Sequence, residues 1–299
     1  MGHHVTDKPS RGVDIVLVNS WTADSTGRRL SAGQVAAVRA LGIGPRWARF
    51  VPPAIFRLIG SKGPRVVHRV DGVAKLFRGE GGQADITQFS INPLTNHTIF
   101  QSSYCENSFK EFGISPIHSS VVHNATDGSI FFPAKEPRRL SPPLKLLAVS
   151  WSPNPRKGFA SLVQMADVPG VEVQFIGQWT PSLPSGQVKI LGVKSAQEIA
   201  KQMRESDAFI HAAINEPCSN AIIEAMACGL PLLFKDSGSN RELAGEYGIP
   251  LTDNFVNDVN LLQNGYSRLR DNVLHDRSKF LMESAAAQYV KSFERALEH

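Results

Sequence analysis

Apolar and polar residues alternate in short blocks through the second half of the chain. Apolar runs of strand length are separated by segments with helical spacing. The predicted strands are Leu144–Val149, Val171–Ile176, Val188–Leu191, Ala208–His211 and Pro231–Phe234, and the predicted helices are Gly158–Asp167, Ser195–Glu205 and Asn220–Cys228. Strands separated by helices indicate βαβ units and a parallel sheet. The second half therefore predicts a Rossmann-like domain.

The first half shows a weaker form of the same pattern. Four short apolar runs that end at polar residues predict strands at Val13–Val18, Arg65–His68, Thr98–Gln101 and Ser120–His123. Between the first two, residues 45–60 mix aromatic side chains with arginines. This stretch could rest on a membrane surface or line an acceptor site. We favour a helix that packs on the sheet and points its arginines outward.

A proline-rich segment divides the two halves. Residues 132–143 contain four prolines and little apolar periodicity, which disfavours helix and sheet and predicts an interdomain linker. We therefore expect a short amino-terminal domain over 1–136 and a carboxyl-terminal domain over 137–282. Two helices broken near His275 are predicted from Asn254 onward, and residues 283–299 are expected to form a helix that crosses back to the first domain.

Composition narrows the class of protein. The chain has 299 residues, of which 42% are hydrophobic and 20% charged, typical of a globular protein with a real core and unlike a disordered chain. Three cysteines without a CxxC spacing indicate neither a disulfide scaffold nor a zinc site and favour a reducing compartment. No apolar run reaches the roughly 20 residues of a membrane span, and the first residues lack the apolar core of a secretory signal. We expect a cytoplasmic protein.

The net charge of +5 is distributed unevenly along the chain. Between Arg28 and Arg78, eleven basic residues accompany a single acid, Asp71. Such a stretch is either a solvated basic face or a site for an anionic partner. Peripheral attachment to an anionic membrane surface thus stays open. Nucleic acid is disfavoured, because neither interleaved aromatic motifs nor a helix-turn-helix accompany the charge.

The residues that follow the predicted strands carry the candidate chemistry, because ligands of parallel sheets bind beyond the carboxyl ends of the strands. After the first strand of the second domain, Arg156 and Lys157 precede a helix and form a candidate phosphate site. After Ala208–His211, Glu216 lies in a loop and Glu224 in the second turn of the next helix. A carboxylate among apolar residues needs a partner, which a vicinal diol such as ribose or a neighbouring backbone group would supply.

These residues carry a resemblance to a known family. The segment from Glu216 to Pro231, with its E-x7-E spacing and EAMACG sequence, resembles GT-B glycosyltransferases, in particular glycosyltransferase family 4. Supporting matches are Arg156–Gly158, Phe175–Gly177 and Ser237–Glu242. Looser similarities in the first half are Val67–Gly72, Thr98–Ser102 and Val122–Asp127. The resemblance implies an α/β, GT-B-like fold with two Rossmann-like domains that face a cleft, the first of them abbreviated.

The resemblance also implies an activity: transfer of a hexose-type sugar from a nucleotide-sugar to an acceptor hydroxyl, with retention of configuration and without a metal. The nucleotide-sugar is the substrate, no cofactor is expected, and UDP-, GDP- and ADP-sugars are not distinguished. The acceptor, a glycan, lipid or small molecule, stays open.

Roles of individual residues follow from the same resemblance. Lys157 would contact the donor diphosphate, Glu216 the transferred sugar and Glu224 the ribose. His68 would approach the sugar from the first domain, and Arg156 is a further donor-binding candidate. The helix start at Ser219 and Asn220 and the loop of Ser237, Gly238 and Ser239 would face the diphosphate.

The source of one phosphate-binding cation and the stereochemistry of transfer stay open. The family pattern has an arginine at the position of Trp151, so Arg156 or Arg69 would have to supply that cation. Transfer with inversion would instead require Asp71 or His68 as a general base. A catalytically weak GT-B-like subunit that binds or assembles with other proteins is the alternative function.

Overall fold

The computed structural model describes residues 14–19, 22–23, 29–30, 65–79, 85–86, 88–89, 92–136, 140–252 and 254–298. The chain divides into two compact units. The first comprises residues 1–76, 80–122 and 288–299, and the second comprises residues 77–79 and 123–287. Most of the basic stretch between Arg28 and Arg78, including all of residues 45–60, lies outside the described residues.

The first unit is built on a parallel sheet. Its strands β1 (Ile15–Asn19), β4 (Arg65–Arg69), β5 (His97–Phe100) and β6 (Ser119–Val121) lie side by side in that order. A separate antiparallel pair consists of β2 (Thr22–Ala23) and β3 (Arg29–Leu30). All four predicted strands of this half are confirmed, with ends that differ by one or two residues.

Helices that accompany the first sheet within the described residues include α1 (Ala74–Arg78) and α2 (Ser103–Glu111). Ser102 begins α2 by accepting a hydrogen bond from the Cys105 amide at 3.0 Å. Phe100 of β5 packs edge-to-face on Phe109 of α2, with ring centroids 5.4 Å apart. These rings form the small core of the unit together with Val70, Val73 and Cys105.

The second unit contains a six-stranded parallel sheet of Rossmann order. The strands are β7 (Leu144–Ser150), β8 (Val171–Gly177), β9 (Lys189–Ile190), β10 (Ala208–His211), β11 (Leu232–Lys235) and β12 (Gly248–Leu251), in the spatial order β12-β11-β10-β7-β8-β9. The chain proceeds to one side from β7 and then returns to the other side through β10. The topological switch point, where such sheets bind ligands, therefore lies between β7 and β10.

Helices cover both faces of this sheet. They are α3 (Phe159–Ala166), α4 (Ala196–Arg204), α5 (Asn220–Ala227), α6 (Asn240–Ala244) and α7 (Phe255–His275). The last helix, α8 (Met282–Glu298), begins in the second unit and continues into residues of the first. Leu147 belongs to a core cluster with Ile222 of α5, whereas its neighbour Leu146 packs in a second cluster with Leu162 of α3. Side chains of a strand alternate between the two faces, so a strand covered on both is apolar throughout. This explains the continuous apolar run at Leu144–Val149.

The ends of several elements follow the sequence signals. Ser195 and Glu198 form the capping box at the start of α4, and Gly229, with a φ of 78°, follows the end of α5. The predicted break near His275 is confirmed, since α7 ends there and a 3₁₀ turn at Arg277–Phe280 separates it from α8. Among the described residues no helix combines the length and the apolar character needed to cross a bilayer.

The structure divides the chain at a different point from the sequence prediction. The predicted boundary follows residue 136, whereas the units change at residue 122 and again at residue 288, within α8. The reason is that Phe131 is buried in a core cluster of the second unit, and its carbonyl accepts a hydrogen bond from the Arg277 guanidinium at 3.0 Å. Asn124 also bonds to Cys218 and Asn220 of the second unit. These contacts place the residues before the proline-rich segment in the second unit.

Candidate functional site

A cavity of about 270 Å³ opens at the switch point of the second sheet. Its walls come from the ends of β7 and β10, from the loops that follow them, and from the first two turns of α5. The lining residues are Ala148, Val149, Ser150, Trp151, Ser152, Lys157, Leu162, Phe175, Ile210, His211, Ala212, Ala213, Glu216, Cys218, Ser219, Asn220, Ala221 and Glu224. Polar and charged groups thus converge on an apolar base, as is typical of a small-molecule site.

Lys157 reaches this cavity from a 3₁₀ turn at Pro155–Lys157, which directly precedes α3. Asn154 begins the turn by accepting a hydrogen bond from the Arg156 amide at 2.9 Å. Gly158 has a φ of 79°, and a Cβ at this position would lie 2.2 Å from the Ala212 carbonyl oxygen. Only glycine allows this approach of the turn to the end of β10, and the approach brings Lys157 to the switch point.

An ion pair joins Lys157 to the loop after β10. The Lys157 Nζ lies 2.5 Å from Glu216 Oε1, and 9% of the Glu216 side chain is exposed. A buried carboxylate of this kind needs a cationic or hydrogen-bonding partner. The pair therefore holds two opposite charges at the cavity wall, where either one can exchange its partner for a ligand group.

The loop at Ser237–Ser239 contacts the backbone of Asn215 and Glu216 and does not line the cavity. The Ser239 amide donates to the Glu216 carbonyl oxygen at 2.9 Å, and the Asn215 amide donates to Ser237 Oγ at 3.0 Å. A Cβ on Gly238, whose φ is 62°, would lie 2.5 Å from the Glu216 amide nitrogen. Because of this contact the loop buttresses the Glu216 backbone, and none of its three residues lines the cavity.

The amino-terminus of α5 forms another part of the wall. Ser219 is its N-cap, and Asn124 donates from its side-chain amide to Asn220 Oδ1 at 2.8 Å and to the Cys218 carbonyl at 3.2 Å. The first amide groups of a helix lack partners within it and carry a partial positive charge. Together with Lys157 they form a site suited to an anionic group such as a phosphate.

Glu224 approaches the same cavity one turn further along α5. Its side chain is half-buried, and burial raises the pKa of its carboxyl group to about 7. Within the described ranges no side chain or backbone group donates a hydrogen bond to this carboxylate. Its acceptor oxygens are thus available to a ligand with hydroxyl donors.

The cavity brings together six of the predicted site residues and leaves others outside. Lys157, Glu216, Ser219, Asn220, Glu224 and Trp151 line it, whereas Arg156, Ser237, Gly238 and Ser239 do not. The Trp151 side chain is 55% exposed and occupies the position where the resemblance predicts an arginine.

The predicted site residues of the first unit lie at the end of β4. His68 is fully buried, 3.3 Å from the Asn92 amide nitrogen, and burial lowers its pKa to about 4, although the charge of Asp71 acts in the opposite direction. Arg69 forms an ion pair with Asp71 and donates to the Tyr289 hydroxyl at 3.1 Å. Contact of His68 with a ligand would require exposure of its ring, so its catalytic role stays a prediction.

His211 is a cavity residue that the sequence reasoning missed. It is the last residue of β10, and it lines the cavity. In the sequence, its position at the end of a predicted strand is the only signal that could have indicated it. Burial, reinforced by the positive charge of Lys157, lowers the pKa of its imidazole to about 3. The ring is therefore neutral at physiological pH.

Comparisons with known proteins agree with this fold. Sucrose-phosphate synthase from Thermosynechococcus elongatus matches with a TM-score of 0.63 and 16% identity over 84% of this chain and 71% of the synthase chain. HepE from Anabaena, in complex with UDP and glucose, matches with a TM-score of 0.65 and 16% identity over 81% of this chain and 75% of its own. The chain has the α/β fold of the GT-B glycosyltransferases.

Sequence comparison adds a family match in the second unit. Residues 177–289 match the family described as Glycosyl transferases group 1, a span that includes Glu216 and Glu224. The O-antigen biosynthesis protein RfbC from Myxococcus xanthus is 29% identical in an alignment of 140 residues that covers 44% of this chain and 11% of that protein. The chain thus spans about a tenth of the length of this curated relative.

Proposed function

We propose that the chain is a glycosyltransferase that moves a hexose-type sugar from a nucleotide-sugar to an acceptor hydroxyl. One observation carries the proposal: a single cavity at the switch point of the second sheet contains the Lys157–Glu216 pair, the amino-terminus of α5 and the Glu224 carboxylate. A nucleotide-sugar has three chemically different parts in a row, and this cavity has a complementary group for each. The match to Glycosyl transferases group 1 over residues 177–289 supports the same proposal.

The proposed roles follow from charge and hydrogen-bonding capacity. The Lys157 ammonium and the first amides of α5 would bind the diphosphate, whose negative charge they offset. Glu224 would accept hydrogen bonds from the ribose diol. Glu216, bonded to Lys157 in the absence of a ligand, would accept from a hydroxyl of the transferred sugar. These assignments make the spacing of seven residues between Glu216 and Glu224 a functional motif, as in family 4.

The same groups support transfer without a metal and with retention. Negative charge develops on the diphosphate as it leaves, and Lys157 together with the helix amino-terminus would stabilise that charge directly. The leaving diphosphate could then accept the proton of the acceptor hydroxyl on the face where the new bond forms. We expect transfer to persist in excess EDTA and the product to keep the anomeric configuration of the donor, which proton NMR of the product measures.

Calorimetric titration with UDP, GDP and ADP tests the proposal. We expect one of them to bind, and Glu224→Gln to weaken its affinity about tenfold because a buried diol loses its charged acceptor. Glu205→Gln is the matched control, since this exposed glutamate at the end of α4 lies outside the cavity, and it should bind like the wild type. Failure of all three nucleotides to bind would refute the proposal.

A binding or assembly subunit with weak catalysis is the second candidate function, and Trp151 is the observation that favours it. At this position the family pattern has a cationic side chain, and here an indole lines the cavity instead. This candidate predicts that the chain binds a nucleotide but hydrolyses or transfers the sugar of its donor slowly. Trp151→Arg should then raise the rate of donor turnover at unchanged fold stability.

A further inference from the structure

His211 is a buried polar side chain whose hydrogen-bonding capacity the protein itself does not use. Its side chain is 7% exposed, and its Nε2 is fully buried without a hydrogen-bond partner among the described residues. A buried polar atom without a partner costs roughly 1–3 kcal/mol in protein interiors. An arrangement of this kind at a ligand cavity indicates that a ligand supplies the missing partner.

The position of His211 in the fold limits what that ligand group can be. The residue ends β10, one of the two strands that flank the switch point, and its side chain lines the cavity together with Lys157. Gly158, which follows Lys157, approaches the backbone of Ala212, which follows His211, so closely that a Cβ on Gly158 would lie 2.2 Å from the Ala212 carbonyl oxygen. The group that reaches Lys157 therefore also comes close to His211, and under the proposed function that group is the diphosphate.

A neutral imidazole has a specific use beside a lysine. It offers one N–H donor without adding a second positive charge that would repel the ammonium. An anionic phosphate oxygen accepts such a hydrogen bond more strongly than a neutral oxygen does. The imidazole stacks on the Phe209 ring, with centroids 6.3 Å apart. A leucine or phenylalanine in place of His211 would provide no donor.

We infer that His211 is a donor-binding residue that hydrogen-bonds the diphosphate of the nucleotide-sugar next to Lys157. The inference rests on the proposed function and extends it, since it adds a neutral donor to the cationic and carboxylate groups described above. It also separates the cavity into a phosphate end, with Lys157 and His211, and a ribose end at Glu224.

The test compares a nucleoside diphosphate with its nucleoside on the same protein. Wild type, His211→Leu and Glu224→Gln are titrated with UDP and with uridine, or with the corresponding pair if GDP or ADP is the nucleotide that binds. His211→Leu should weaken the affinity for UDP about tenfold and change the affinity for uridine by less than a factor of two. Glu224→Gln should weaken the affinity for both. Circular dichroism and thermal unfolding confirm that each variant is folded.

Conservative variants separate hydrogen bonding from packing. The amide N–H of asparagine or of glutamine lies near the position of one or the other ring nitrogen, so either His211→Asn or His211→Gln should recover most of the lost UDP affinity. As an independent readout, ¹⁵N NMR of the nine histidines should show one imidazole resonance, absent in His211→Leu, that shifts when UDP is added.

The outcomes are distinguishable. The role of His211 is refuted, while the proposed function stands, if the wild type binds UDP and His211→Leu binds it equally well. The same conclusion follows if His211→Leu weakens the affinities for UDP and uridine by the same factor. The role of His211 is also refuted if neither His211→Asn nor His211→Gln recovers UDP affinity. If no nucleotide binds to the wild type, the proposed function fails and this inference fails with it.

Discussion

Single residues at the cavity combine unusual environments with specific chemistry. Glu224 is a carboxylate whose pKa is raised to about 7 by burial, and His211 is an imidazole whose pKa is lowered to about 3. Such perturbed groups in a cleft are typical of functional sites. Each of the two groups therefore makes a prediction that can be tested alone.

The first prediction concerns the pH dependence of donor binding. Below about pH 7 Glu224 takes up a proton, and a protonated carboxyl group accepts hydrogen bonds from a diol less well. The affinity for the nucleotide-sugar should therefore fall below pH 7 towards that of Glu224→Gln, about tenfold in all, and level off above pH 7. The diphosphate of a nucleotide-sugar does not titrate in this range. Calorimetry from pH 5.5 to 8 measures the profile, and Glu224→Gln should flatten it; identical profiles would contradict the assignment.

The second prediction concerns the backbone contact behind Glu216. Gly238→Ala combines a positive φ with a clash against the Glu216 backbone, so we expect a loss of about 2–4 kcal/mol in the free energy of unfolding and weaker nucleotide binding. Gly170→Ala is the control, because its φ is 77° but nothing lies within 4 Å of its Cβ. It should cost about 1 kcal/mol and leave binding unchanged. Chemical denaturation and calorimetry measure both variants.

At the scale of elements, α5 determines the geometry of the site. Its amino-terminus, its Ser219 cap and Glu224 all belong to one rigid segment of eight residues. Asn124 holds the start of this helix, and Arg277 holds its end by donating to the Ala227 carbonyl at 2.9 Å and to the carbonyls of Gly128 and Phe131. The site therefore depends on residues distant from it in sequence.

The third prediction tests the anchor at the end of α5. Arg277→Lys removes the planar guanidinium that reaches three carbonyls and leaves these partly buried acceptors without donors, so stability should fall by about 2–3 kcal/mol. Arg268→Lys, an exposed arginine on α7, is the matched control and should change stability by less than about 0.5 kcal/mol. Urea denaturation of the two variants gives the comparison. Equal stability of both would show that the Arg277 hydrogen bonds are energetically neutral.

At the scale of the whole molecule, stability against acid depends on two buried histidines with lowered pKa values, one in each unit. His68 in the first unit and His211 in the second have pKa values of about 4 and about 3, below the ordinary value of 6.5. The unfolded chain therefore binds protons between pH 6.5 and 4 that the folded chain excludes. Stability that is fully present above pH 6.5 must decrease as the pH falls through this window. Glu224 has the opposite effect, since its raised pKa favours the folded state as the pH falls from 7 to 4.5.

The fourth prediction follows from these signs. Between pH 6.5 and 5 the two histidines together should lower the free energy of unfolding by about 2 kcal/mol per pH unit on average, and Glu224 should offset up to about half of this. Glu224→Gln should consequently lose stability more steeply on acidification than the wild type, and His211→Leu less steeply. Urea denaturation at pH 6.5, 5.75 and 5 measures the slopes. A Glu224→Gln slope shallower than that of the wild type would contradict the prediction.

Much of the fold could be predicted from the sequence because the signals for it are local. Strands buried on both faces are continuously apolar, as at Leu144–Val149. Helix ends are marked by residues such as Ser195 and Gly229, which allow the unpaired backbone groups of the helix end to form local hydrogen bonds. The placement of Lys157, Glu216 and Glu224 could be predicted as well. Parallel strands all end at one edge of the sheet, so residues that follow neighbouring strands are brought together by topology alone.

Only the tertiary structure decided the points that depend on contacts between distant segments. The unit boundary at residue 122 reflects contacts of Asn124 and Phe131 with the second unit. The supporting position of Ser237–Ser239, outside the cavity lining, depends on the backbone approach at Gly238. The unpartnered Nε2 of His211 and the raised pKa of Glu224 depend on the residues packed around each side chain. Burial and hydrogen-bond partnership arise from the packing of several elements, and a local pattern of residues does not contain that information.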